Sequence, residues 1–202
     1  ASTGVIGQGL PIEPIENKAE ELFALLSKEG GTDAAEAIMT TDTVKKEAAA
    51  VLTLDGKTVT IGGIAKGSGM IHINMGTMLS FLTTAVSPDM LHEALKEAAG
   101  DSYNMVSVDG DTSTNDTLTI MASGMAGNAE ITEKNEDYRA FVQALTALCK
   151  KLSKMLAGDG EGATKLLVCS VTGARTKEDA KSVAKTVICS SLLKAAMFGA
   201  DA

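Results

Sequence analysis

Phe141, Leu145, Leu148, Leu152 and Leu156 recur three and four residues apart, which predicts a long amphipathic helix over 135–157. The same spacing of Leu22, Leu25 and Leu26 predicts a helix over 15–29, ended by Gly30–Gly31. Thr32 or Asp33 can cap a short helix running through Ile38. Ser87 as a cap with Pro88 at the first helical position predicts another helix, ending at Gly100. A last helix is expected over 176–198, starting at Thr176. Between these stretches the period changes to two. Residues 47–66 read as a hairpin, EAAAVLTL and KTVTIGGI about Asp55–Gly56, the dipeptide that most favours a tight turn between strands. A buried strand is expected after Gly76, with further strands at YNMVSV (103–108), TLTIMASG (117–124) and KLLVCSV (165–171). Residues 1–10 read as a strand end with a turn, and VDGDTSTNDT and DGEGATK as polar turns.

Strands and helices alternate without a strict strand–helix repeat. That order favours an α+β fold, a layered α/β sandwich with mixed or antiparallel sheets, over a doubly wound one. Composition adds that the core is built without Trp and with few aromatics, from Ala, Leu, Ile, Val and ten Met. The net charge of −8 argues against a phosphate-backbone partner, which needs a basic footprint. Such a charge suits a cationic or zwitterionic small molecule better, and no nucleic acid is expected. The apolar runs are far shorter than a bilayer is thick, so no membrane partner is expected either. Cys149, Cys169 and Cys189 form no C-x-x-C pair and read as buried, reduced thiols, which makes the cytoplasm the expected compartment. The ends, Ala-Ser-Thr-Gly and Phe-Gly-Ala-Asp-Ala, suggest a piece of a longer protein.

Little in these patterns names a chemistry. There is no phosphate-binding glycine motif, no Ser-His-Asp set and no metal-ligand spacing about His72 or His92. VDGDTSTNDT is rich in Asp, yet it lacks the Glu that closes a calcium loop, so a turn stitched by side-chain-to-backbone bonds is expected there and no metal. The informative stretch is GIAKGSGMIHINMGTMLSFLTT, 63–84, where glycines crowd in front of an apolar strand. Such crowding means backbone passing close to other backbone or to a ligand.

This stretch is similar to the self-processing segment of the ornithine acetyltransferase (glutamate N-acetyltransferase) family, whose pattern is close to GIAKGSGMIxPNMATML. STGVIG at 2–7, EAIMTTDT at 36–43, VDGDTSTNDT at 108–117, DGEGATK at 159–165 and KAAMFGAD at 194–201 resemble the same family in the same order. Six blocks in order over nearly the whole chain are highly specific. Two positions depart from the pattern: Ile73 stands where the family has Pro, and Gly76 where Ala is usual. The connection from Thr84 to Ser87–Pro88 is also shortened.

The resemblance implies a self-processing acetyltransferase of the N-terminal-nucleophile type, cut between Gly76 and Thr77. Residues 1–76 would be the C-terminal part of an α subunit and 77–202 the N-terminal part of a β subunit, in an α2β2 assembly. Thr77 would be the nucleophile that moves acetyl from N-acetylornithine to glutamate in arginine biosynthesis. Thr3, through its hydroxyl, and Gly4, through its backbone N–H, would stabilise the oxyanion. Lys66 would meet a substrate carboxylate, Glu161 an ammonium, and Thr40 would hydrogen-bond substrate. No cofactor is implied; acetyl-CoA is the one further co-substrate the resemblance allows. Taken without the family, the same residues have plainer readings: Thr3–Gly4 a strand-ending turn, Lys66 a solvated loop lysine, Glu161 a turn acid, Thr40 a turn or capping threonine. A self-processing aminopeptidase and an inert fragment are the alternatives to the transferase.

Overall fold

The computed structural model describes residues 1–2, 4–72, 79–84 and 88–200, with the backbone alone over 79–84. The Asp55–Gly56 hairpin forms as expected. Strands β1 (Lys46–Leu54) and β2 (Lys57–Lys66) pair antiparallel, with Leu54 opposite Lys57. Both turn residues have positive φ, 48° and 68°, the geometry that matches the twist of the flanking strands. Strand β3 (Leu79–Thr84) adds antiparallel to β2, and β4 (Thr117–Ala122) adds parallel to β3. The sheet order is therefore β1-β2-β3-β4. A parallel pair needs a long crossover, and here it contains the helix Pro88–Gly100 (called α4 in chain order) with its proline in the first turn.

Three short helices precede the sheet: α1 (Glu13–Glu16), α2 (Ala19–Ala24) and α3 (Gly31–Ala37). Helix α5 (Glu136–Gly158) is the expected long one. Asn135 caps it by accepting from Tyr138 N–H at 2.9 Å. Phe141, Leu145, Leu148, Leu152 and Leu156 are all buried and pack across β1 and β2, with α4 beside them. Val59 and Ile61 of β2 alternate with exposed neighbours and supply the sheet side of this core. The mixed sheet and the segregated helices make the fold α+β.

Five expectations differ. The 15–29 helix is two short helices, α1 and α2, that bury nothing; Leu22, Leu25 and Leu26 are exposed. Without a surface for its apolar face, a sequence of that length has little to sustain one continuous helix. Helix α3 has no side-chain cap, because the Thr32 hydroxyl donates instead to the Glu47 carboxylate at 3.0 Å. Residues 103–108 form a 3-10 turn, Tyr103–Met105, followed by a single bridge between Ser107 and His72. The 165–171 segment finds no strand partner among the described residues, and its Leu166 and Val168 are exposed. The last helix breaks. Thr176 caps α6 (Lys177–Ile188) as expected, but Ser190 then caps a separate α7 (Ser191–Gly199), bent 56° from α6. No single helix among the described residues is long and apolar enough to cross a membrane.

Cys149 is wholly buried on α5, as expected of a packed thiol, and burial pushes its pKa up to about 12. Cys169 and Cys189 are half-buried. A thiolate reagent at pH 8 is therefore expected to spare Cys149 in the native protein and to label it only on unfolding. Mass-mapped alkylation with and without denaturant measures this; rapid native labelling of Cys149 would contradict it.

Candidate functional site

The connection from β2 to β3 starts at a charged floor. Lys66, the last residue of β2, is only 3% exposed, so the reading of a solvated loop lysine is wrong. Its Nζ donates to Thr40 Oγ1 at 2.7 Å, and it forms no ion pair among the described residues. Burial lowers its pKa, an effect the Asp42 carboxylate opposes and the Lys46 ammonium adds to. A buried cation without a carboxylate of its own is an anion receptor in chemical terms.

Thr40 sits in a turn that is itself tied down. Its N–H donates to Asp42 Oδ2 at 3.2 Å, and Asp42 Oδ1 accepts from Gly67 N–H at 2.7 Å, next to Lys66. Lys46, fully buried at the start of β1, donates to Asp42 at 2.7 Å and to Asp159 at 2.5 Å. Asp159 also accepts from Thr43, through both its N–H at 3.0 Å and its hydroxyl. Burial alone would raise the pKa of both aspartates; hydrogen bonds from Lys46 and the nearby backbone overcome that and hold both below the ordinary range. This network joins the turn that bears Thr40, the end of β2 and the turn after α5.

That last turn carries Glu161. Its N–H donates to Ser68 O at 2.8 Å, while Ser68 Oγ meets Thr41 Oγ1 at 2.6 Å. The Glu161 carboxylate is exposed and folds over Gly69, where a Cβ would come within 2.8 Å of Glu161 Cδ. Gly69 is thus needed for a close approach, one of the two causes expected for the glycine crowding. A cavity of about 480 Å3 opens on the other side of the Glu161 turn, between α5, α6 and α7; Lys66 and Thr40 do not line it.

Thr40, Lys66 and Glu161 are therefore brought to one place, on and around the Lys66–Met70 segment. Among the described residues, no hydrogen bond joins Gly4 to them. It adopts φ +55°, donates its N–H to Ser2 Oγ at 3.0 Å, and lies against Asn115. Thr3, Gly76 and Thr77 lie outside the described residues. Leu79, two residues beyond Thr77 in the sequence, pairs with Lys66. Sequence reasoning missed Asp42, Lys46 and Asp159. The one signal was the spacing of Asp42 and Lys46, four residues apart, with Asp42 and Asp159 each inside a recognised block.

Fold and site define an α+β protein with a buried lysine and an exposed glutamate carried on adjoining loops. The chain belongs to the ArgJ family, whose model matches residues 1–202. It is 56% identical over 204 residues to the arginine biosynthesis bifunctional protein ArgJ of Symbiobacterium thermophilum, covering all of this chain and 51% of that protein. To ArgJ 1 of Clostridium acetobutylicum it is 53% identical, covering all of this chain and 50% of the relative. The chain thus spans about half the length of the curated relatives it matches. The crystal structure of the Bacillus halodurans protein of the same name is similar at TM-score 0.57 and 44% identity, covering 60% of this chain and 58% of that one.

Proposed function

We propose that this chain is the central part of an acetyltransferase of arginine biosynthesis that moves acetyl from N-acetylornithine to glutamate. The observation that carries the reading is the juxtaposition of Lys66, a buried cation without an ion pair among the described residues, with Thr40 at 2.7 Å and Glu161 on the adjoining turn. A zwitterionic amino acid needs one partner of each sign. Lys66 takes the carboxylate, Glu161 the ammonium, and Thr40 a hydrogen bond.

The chemistry begins with the chain itself. Thr77 Oγ attacks the Gly76 carbonyl, its hydroxyl proton passing to the departing nitrogen, so that an ester replaces the peptide bond and an α-amine is freed. Water hydrolyses the ester and leaves residues 1–76 and 77–202 as the α and β parts, assembled as α2β2. The freed amine titrates near ~8, far below a lysine, so it is available as the base for its own hydroxyl. Thr77 Oγ then attacks the N-acetyl carbonyl. Thr3 and Gly4 donate to the oxyanion, ornithine leaves with the proton, and an acetyl ester remains on Thr77. Glutamate attacks that ester and departs as N-acetylglutamate. The names of the relatives support arginine biosynthesis; the cytoplasm is its proposed place because the three cysteines read as reduced thiols, and acetyl-CoA as a second acetyl donor is compatible with the same ester.

An intact-mass spectrum of the purified chain, with an assay of acetyl transfer from N-acetylornithine to glutamate, tests the proposal. Two masses, 1–76 and 77–202, with transfer are expected. A single uncut mass with no transfer would exclude it, and release of acetate to water without transfer would favour hydrolysis. Replacing Lys66 with Met is expected to weaken binding of the amino-acid carboxylate by about 1.5–3 kcal/mol, roughly 10- to 150-fold in KM. Thermal stability should not fall, because the cation removed is buried and has no ion pair among the described residues. That folding cost of Lys66 is present below the lysine's folded pKa, which burial lowers. It fades as pH rises through the lysine's depressed pKa towards the ordinary lysine range.

A further inference from the structure

The polar segment VDGDTSTNDT has no part in the chemistry above, yet it grips the chain just beyond the charged floor. The Asp109 carboxylate accepts from three backbone amides: Met70 on Oδ2, and Ile71 at 3.1 Å and Asp111 at 3.0 Å on Oδ1. Val108 N–H donates to Ile71 O at 2.6 Å, and the Thr112 hydroxyl donates to His72 O at 2.8 Å. His72 Nδ1 lies 2.9 Å from Ser107 Oγ. Every residue from Met70 to His72 is thus held by its backbone, and Met70 is held in a left-handed conformation, φ 53°, that a side chain rarely adopts. The far side of the segment is fixed as well. Lys194 of α7 donates to Val108 O at 2.8 Å and Ser107 O at 3.2 Å. Three sequence blocks, GIAKGSGMI, VDGDTSTNDT and KAAMFGAD, meet in this one cradle.

We propose that Asp109, with Thr112, is a positioning residue for self-processing: the two lock the Met70–His72 backbone, the described stretch that leads in sequence to the Gly76–Thr77 bond. The inference rests on the processing reading above. Attack on a neighbouring carbonyl needs the reacting atoms held within a narrow range, and a displacement of about 1 Å costs on the order of a hundredfold in rate. In this arrangement the carboxylate of Asp109 touches no reacting atom; it restricts the chain that carries them.

The test is the rate of appearance of the 77–202 fragment by intact mass. It is followed in freshly made chain and in the Asp109→Asn and Thr112→Val variants. Asparagine keeps one acceptor oxygen but turns an NH2 towards the Met70 N–H, which is left without its acceptor. Asp109→Asn is expected to slow cleavage at least tenfold and Thr112→Val several-fold, with thermal midpoints unchanged. Faster amide exchange at Met70 in Asp109→Asn would show that this N–H has been released, whatever the fate of the bond. If the unaltered chain is never cut, the processing reading itself fails. If it is cut and Asp109→Asn is cut at the same rate, the positioning role fails. Slowing matched by a fall in thermal midpoint in both variants would also overturn it, since that is loss of fold and not of aim.

Discussion

A Thr77→Ala chain is expected to stay whole and to transfer no acetyl. Alanine removes the hydroxyl that the proposed mechanism uses at both stages, first to open the Gly76–Thr77 bond and then to carry the acetyl group. The two losses separate experimentally. If the alanine chain were supplied already cut, as 1–76 and 77–202 made apart and combined, its α-amine would be free. Transfer would still be absent, because an amine without the neighbouring hydroxyl has no nucleophile to activate. A Thr77→Ser chain should keep both steps, at reduced rate, since the hydroxyl remains and only the methyl group that restricts its rotamer is gone. Mass spectrometry and the transfer assay measure both; full transfer by the alanine chain would end the assignment of Thr77.

Replacing Lys46 with Met has the largest expected effect on stability, a loss of about 3–5 kcal/mol. Lys46 is fully buried and contacts two aspartates, Asp42 and Asp159, each shielded from solvent. Methionine fills the same volume but leaves two carboxylates facing each other without a cation. The loss depends on pH. The pKa of each aspartate is held low in the folded chain, so the network's contribution is whole at neutral pH and is lost as pH falls below about 4. Denaturant midpoints of the two chains should therefore differ most near pH 7 and converge in acid. A constant difference across that range would show that Lys46 contributes by packing alone.

What the sequence reveals and conceals follows from the range of the forces involved. The hairpin at Asp55–Gly56 and helix α5 were legible because their signals are local: a turn dipeptide between alternating residues, and an apolar face repeated over about four turns. The start of α6 at its cap Thr176 and of α4 at Pro88, in its first turn, are local signals as well. The 15–29 helix, the 165–171 strand and the unbroken last helix were misread because each depends on what lies opposite. Leu22 and Val168 have the right spacing, but nothing among the described residues covers them. The break at Cys189–Ser190 is harder, since a serine cap inside an apolar run has the same composition as a continuing helix. At the site, the resemblance led to Thr40, Lys66 and Glu161, and the structure gathers them. Beyond the Asp42–Lys46 spacing the Lys46 network left little trace in the sequence: Asp159 is more than a hundred residues from its partner, and a lysine followed by a glutamate and alanines looks like any surface strand end.

The register of β2 and β3 bears on what a nick between them would mean. Lys66 faces Leu79, and the ladder continues through Gly62 and Thr83. The last described strand before the nick, β2, has as its neighbour β3, which belongs to the segment after it. Severing the connector would therefore not set two bodies free. Each piece would complete the other's sheet, and α5 from the second would lie over strands from the first. The break would change the covalent record while the ladder from Lys66–Leu79 to Gly62–Thr83 keeps the two pieces in one sheet.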